Sequence, residues 1–308
     1  MNIEALNSRY GAPGRIVFHN GFAGYPNVVL ANKYGSAEVA LLGANVLSYR
    51  PTGHSQVLFR PAKRDDEYNR GNGFHGGIPV CFPQFGNRLD PKLPQHGFVR
   101  KLIFEPVGSE YSEEMTELTL AVRSDEETRK LWPHDFLLEI KITLSMKLNL
   151  TMTVKNTSSE PFVFSGGFHP YFLLRDRDLV TVRGLDNHAY IDGTTEPMTE
   201  GVQRGDIELT RGYDHIFDSG NALKNEYAII DPGLKRAIAV VSTGNARAIV
   251  WNPDNAYVVE DHTPENFHRF VCVEPVSDWP GGRTLESGAT YELVAAIQST
   301  MRVENCEV

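Results

Sequence analysis

The chain has 308 residues, 41% hydrophobic and 22% charged, with a formal net charge of −9. This mix is that of a globular domain with a full core, and the acidic balance argues against general nucleic-acid binding, which runs on a basic surface that displaces counterions. No stretch approaches the roughly 20 apolar residues of a transmembrane helix. Met1–Tyr10 has no basic start leading into an apolar run, so no secretory signal is read and a cytoplasmic protein is expected. The three cysteines, Cys81, Cys272 and Cys306, are far apart and form no C-x-x-C, so neither a disulfide framework nor a thiolate zinc site is expected.

In chain order, strand-like runs fall at Arg15–His19, Asn27–Ala31, Val39–Leu42, Val46–Tyr49, Val57–Arg60 and Glu117–Arg123. Ser124-Asp-Glu-Glu127 then reads as a capping box, with Glu127 reaching back to the Ser124 N–H, and Pro133 limits that helix to about two turns. From Leu138 to Lys155 apolar and polar residues alternate strictly, the period of a sheet with one buried face. Strands rarely exceed about 10 residues, so this stretch predicts an antiparallel pair turning near Ser145–Lys147. Further runs follow at Phe162–Ser165, Ala237–Ser242, Ala248–Trp251, Phe270–Val273 and Tyr291–Gln298. Short strands punctuated by 27 glycines and 18 prolines predict an all-β fold, a large antiparallel β-sandwich with one or two short helices. No linker or repeat divides it, so residues 1–308 read as a single domain.

Gly71-Asn-Gly-Phe-His-Gly76 spells G-x-G-x-x-G, but Pro79 and Pro83 follow where a dinucleotide motif needs a helix N-terminus to hold the pyrophosphate. It is set aside. Four other segments concentrate titratable groups where strand patterns meet Gly or Pro. They are Leu93–Arg100, Ser165–Phe172, Arg211–Phe217 and Phe270–Val276. Glu274 follows an apolar strand, so it is either a partly desolvated base or a strand-end carboxylate pointing to water. His169, between Phe168 and Pro170, is either functional or a satisfied core histidine. His96 has the alternative of bonding loop backbone, and Asp214 that of forming an Asx-turn.

Gly43–Pro51, Gly76-Gly-Ile-Pro-Val-Cys-Phe-Pro-Gln-Phe-Gly86, Leu93-Pro-Gln-His-Gly-Phe-Val-Arg100, Ser165-Gly-Gly-Phe-His-Pro-Tyr-Phe172, Val250–Pro253 and Phe270–Pro275 come in an order that resembles the aldose 1-epimerase (galactose mutarotase-like) superfamily. Within it the chain is most similar to the glucose-6-phosphate 1-epimerase branch, the hexose-6-phosphate mutarotases. The resemblance implies the family's β-sandwich and mutarotation of a sugar or sugar phosphate, with no cofactor and no metal. It makes His169 the general acid and Glu274 the general base. His96, Asp214, Gln95 and Arg100 become substrate contacts. Asp214 has Tyr-Asp-His flanks rather than the usual Thr-Asp-Arg. His75 stands where the branch usually has an arginine of a phosphate clamp, and Arg60, Lys63 and Arg64 lie upstream as replacements for the lost charge.

Mutarotation needs one group to take the C1 hydroxyl proton and another to protonate the ring oxygen. The expected resting pair is ionised Glu274 with protonated His169. The competing readings are an aldose 1-epimerase for a non-phosphorylated hexose, a non-catalytic carbohydrate-binding protein, and a metal-dependent isomerase using His75, His96, His169 and Glu274. The last lacks the H-x-H spacing usual for such sites. No macromolecular partner or membrane is implied, and a monomer or weak homodimer is expected.

Overall fold

The computed structural model describes residues 1–21, 24–61, 75–209, 212–220, 224–253 and 263–301. The alternating segment forms the hairpin Phe136–Leu144 and Leu148–Asn156, paired from Phe136↔Asn156 to Leu144↔Leu148. Its turn is Ser145–Lys147, closed by the Ser145 N–H donating to the Lys147 carbonyl at 2.9 Å. Leu138, Ile140, Ile142, Leu150, Met152 and Val154 are all fully buried, so the period-2 pattern is the core face of this pair. The hairpin is interior to a nine-stranded antiparallel sheet. Thr116–Arg123 and then Glu105–Tyr111 extend it on one side. On the other side lie Thr290–Met301, Arg236–Thr243, Asn225–Asp231, Thr181–Arg183 and Ile207–Glu208.

A second sheet, of eight strands, runs Thr199–Val202, Ala189–Asp192, Tyr213–Asp218, Arg247–Asn252, Phe270–Val276, Gly167–Phe168, Val80–Cys81, with Tyr171–Leu173 also pairing Phe270–Val276. Its side chains Phe217, Ala248, Val250, Val271 and Val273 share one buried cluster with Ile140, Met152, Ile229, Val240 and Ile297 of the nine-stranded sheet. The two sheets therefore close on a common core, which is a β-sandwich. Ile16–Asn20, Pro26–Asn32, Gly35–Ala40 and Asn45–Pro51 form a further four-stranded meander. Among the described residues, no helix is long and apolar enough to cross a membrane.

Two local expectations shift. The helix is Glu126–Leu131, and its cap is Asp125 rather than Ser124. Asp125 accepts the Thr128 N–H at 2.8 Å while Thr128 Oγ1 accepts the Asp125 N–H at 2.7 Å. Ser124 Oγ is engaged elsewhere, donating to Asp135 Oδ1 at 2.8 Å. Val57–Arg60 is not a strand; only Leu58 bridges to Phe172. The sequence pattern also missed the helix Ile3–Tyr10, capped by the Asn2 side chain. That helix buries only Leu6, so it carries little apolar periodicity to read.

The strand Phe270–Val276 is interior to the eight-stranded sheet, and every one of its residues is buried, on both faces. Val271 and Val273 point into the sandwich core, which sends Cys272 and Glu274 to the outer face. Glu274 is thus an interior residue of a central strand, where the sequence suggested a strand end.

Candidate active site

The outer face of the eight-stranded sheet floors a pocket of about 520 Å³. Register explains which side chains meet there. Glu274 lies opposite Ile249, and Cys272 lies opposite Trp251. Trp251 in turn lies opposite Asp214 on Tyr213–Asp218. Directly paired residues share a face, so Asp214, Ile249, Trp251 and Glu274 all line the pocket. His169 follows Gly167–Phe168 and enters beside them.

His169 Nδ1 and Glu274 Oε1 are 3.1 Å apart. The approach is not aligned as a hydrogen bond, and both atoms are buried without a partner. The His169 ring is held by stacking on Tyr171, centroids 4.8 Å apart and planes within 8°, with Trp251 edge-on at 5.7 Å. Phe85 and His96 close the other side at 5.8 and 5.2 Å. A ring packed on four sides keeps one orientation toward the carboxylate.

Burial sets the charge of this pair, in a sense opposite to the sequence expectation. It pushes Glu274 well above the usual carboxylate range, with the Asp214 charge adding to the push. It lowers His169 to about 3, helped by His75 and Arg100. Burial therefore favours a protonated carboxyl facing a neutral imidazole, rather than an ion pair. The pair carries one exchangeable proton in either arrangement. Asp214 is pushed up to about 6, by burial and then by Asp192.

His96 sits on a left-handed backbone, φ 62°. Its N–H donates to the Gly86 carbonyl at 2.7 Å, and its Nδ1 accepts the Gly86 N–H at 3.3 Å. This latch leaves Nε2 as the protonated, donating nitrogen of a neutral ring, since burial holds His96 well below the usual histidine range. Gly97, φ 71°, follows; a Cβ there would lie 2.0 Å from the Phe82 carbonyl oxygen, so the turn that presents His96 requires glycine.

Gln95, His75 and Arg100 also line the pocket. Arg100 Nη2 donates to the Gln95 carbonyl at 2.9 Å, and its buried Nε has no acceptor. Arg60 does not reach the pocket; its guanidinium lies 3.9 Å from Glu38 Oε2 on the four-stranded meander. Lys63 and Arg64, and Gly71–Phe74 of the glycine-rich motif, lie outside the described residues. The sequence reading overlooked Arg88 and Lys101, both of which line the pocket, along with Trp279, whose buried Nε1 is unpartnered. Lys101 could have been found as the neighbour of Arg100, whereas nothing local marks Arg88. Among the described residues, two sets of side chains bring metal-ligating atoms within 4.8 Å of one another. They are the buried His169, Cys272 and Glu274, the first and last of which line the pocket, and the partly exposed Asp176, Asp178 and His268.

Residues 26–298 match the aldose 1-epimerase family, and the chain belongs to it. The protein is accordingly an isomerase built on the galactose mutarotase-like sandwich. A Salmonella typhimurium protein, provisionally named glucose-6-phosphate 1-epimerase, is 30% identical over 255 residues, covering 81% of this chain and 82% of that protein. A Cenchrus ciliaris protein with the same provisional name is 31% identical over 255 residues, covering 78% and 74%. The crystal structure of a provisionally named mutarotase from Salmonella typhimurium has a TM-score of 0.85 at 26% identity, covering 95% of this chain and 96% of that one.

Proposed function

We propose that the protein interconverts the α and β anomers of a hexose 6-phosphate by opening and reclosing the ring, with Glu274 and His169 as the proton-transfer pair. The observation that carries this is the 3.1 Å approach of Glu274 Oε1 and His169 Nδ1 in a pocket that Arg88, Arg100 and Lys101 also line. With the pair's proton moved from Glu274 to His169, a pyranose bound against the pair gives its O1 proton to the Glu274 carboxylate and receives a proton on O5 from the His169 imidazolium. The C1–O5 bond breaks and an aldehyde forms at C1. The pair is then a carboxylic acid facing a neutral imidazole, the state that burial favours. Ring opening thus returns the pair from its charged to its uncharged state. Rotation about C1–C2 turns the other carbonyl face to Glu274, and the same transfers in reverse close the opposite anomer. Each transfer group is worth ~10²–10⁴-fold.

His96 Nε2 and Asp214 are placed to contact sugar hydroxyls. The cationic side chains suit a phosphate, on a protein whose net charge is otherwise −9. Arg100 is the bidentate ligand, its fork matching phosphate oxygens, while Arg88 and Lys101 add the charge that His75 does not supply. One chain supplies every group invoked, in keeping with a monomer or weak homodimer. His75 favours a second reading, in which the substrate is an unphosphorylated aldose. The test is anomer exchange followed by NMR with glucose 6-phosphate, glucose and galactose in parallel. A higher kcat/KM for the phosphate ester is expected. Preference for glucose would establish the second reading, and no exchange of any sugar would leave only a binding protein.

A further inference from the structure

We propose that His169, Cys272 and Glu274 form a zinc-binding site at the base of the pocket, with Cys272 buried behind the two lining groups, and that a bound ion switches the enzyme off. The donor atoms of all three lie within 4.8 Å of one another, and all three residues are buried. His169 Nδ1 and Glu274 Oε1 are both without a hydrogen-bond partner, with Glu274 only 1% exposed. Cys272 is two residues before Glu274 on the same strand, so both side chains leave the same face of the sheet. Its thiol sits on an apolar wall with Phe59, Tyr171, Phe267 and Phe270, which holds it against the pair.

Zinc takes Cys sulfur at about 2.3 Å and His nitrogen or carboxylate oxygen at about 2.0–2.2 Å, so tetrahedral donors stand roughly 3.4–3.7 Å apart. The 3.1 Å His169–Glu274 edge is already near that spacing. A small rotation of the cysteine or glutamate side chain completes the triangle, with the fourth position open to the pocket. Mixed thiolate, imidazole and carboxylate donors select zinc over magnesium or calcium. Binding displaces the thiol proton and the one exchangeable proton of the His169–Glu274 pair, and both leave to solvent. The lone pairs that ring opening needs are then bound to the ion. The inhibitory consequence rests on the proposed roles of His169 and Glu274; the binding itself does not.

The experiment separates the two. EDTA-treated, desalted protein is titrated with Co²⁺ as an optical probe and with Zn²⁺. One equivalent of Co²⁺ should give a thiolate-to-cobalt charge-transfer band that Zn²⁺ erases and Cys272→Ser removes. Anomer exchange should fall as Zn²⁺ binds and return with EDTA. Cys272→Ser, with Cys272→Ala as a second variant checked for folding by circular dichroism, should keep its metal-free rate and need at least tenfold more Zn²⁺ for inhibition. A thiolate band retained in Cys272→Ser would place the ion on Cys81 or Cys306 and overturn the site. Equal Zn²⁺ sensitivity of wild type and both variants, or no thiolate band in the wild type, would also overturn it. Binding at Cys272 without loss of rate would refute the inhibition and, with it, the paired role of His169 and Glu274. Activity abolished by EDTA and restored by Zn²⁺ would overturn the switch in favour of a catalytic ion.

Discussion

Replacing Asp214 by asparagine probes the electrostatics of the pocket directly. The carboxyl ordinarily titrates at 3.8 and is pushed up to about 6 in the folded protein. A raised value means that the folded state holds this proton more tightly than the unfolded chain. Its contribution to stability is therefore complete below pH ~4 and is lost as pH rises to ~6. The difference between 3.8 and about 6, at 1.36 kcal/mol per pH unit, is about 3 kcal/mol. An unfolding entropy near 2.1 cal/mol/K per residue gives ~650 cal/mol/K for a chain of 308 residues, so 3 kcal/mol corresponds to ~5 °C in Tm. Asparagine stays neutral and removes that slope. Thermal melts of wild type and Asp214→Asn, taken between pH 4 and pH 8, should show the variant gaining ~5 °C relative to wild type across the series, with the change centred between pH 4 and 6. The same substitution removes a charge that pushes Glu274 up, so the alkaline limb of kcat/KM, where the pair loses its one proton, should move to lower pH. Parallel Tm curves, agreeing within about a degree after a constant offset, would refute this, because the carboxyl would then not be desolvated.

Glu274→Gln and His169→Asn should each lower kcat by ~10²-fold or more, measured as anomer exchange by NMR, because neither amide can carry the proton. Glu274→Gln should also be at least as stable as wild type at pH 8: burial raises the Glu274 carboxyl, so ionising it at high pH costs the folded state stability. Arg88→Ala and Lys101→Ala should raise KM for glucose 6-phosphate and leave KM for glucose nearly unchanged; equal effects on both sugars would remove these residues from the phosphate site. Gly97→Ala should cost about 2–4 kcal/mol in urea unfolding, since its Cβ would collide with the Phe82 carbonyl at a positive φ.

The sandwich was legible because its signal is local. Alternation from Leu138 to Lys155 needs nothing beyond the chain itself to show a buried and a wet face, and the three-residue turn at Ser145–Lys147 follows from strand length. The titratable groups were legible for a related reason, as each is a polar residue inside an apolar or turn-rich stretch. Their environment was not. Glu274 read as a strand end because Pro275 comes directly after it, yet the strand runs on to Val276 and is covered on both faces. That cover reverses the charges expected for Glu274 and His169, and burial by residues distant in sequence leaves no mark on the local pattern. The cationic lining was read only in part for the same reason, with Arg100 placed in it and Arg60 not. Arg60 belongs to a segment that turns toward Glu38, while Arg88 is carried to the pocket by a loop and Lys101 by the single 3-10 turn Val99–Lys101. Local periodicity determined which strands exist and which faces they bury. Strand register and the packing of one layer on another decided which side chains meet across the pocket, and with what charge, because those distances are set between segments far apart in the chain.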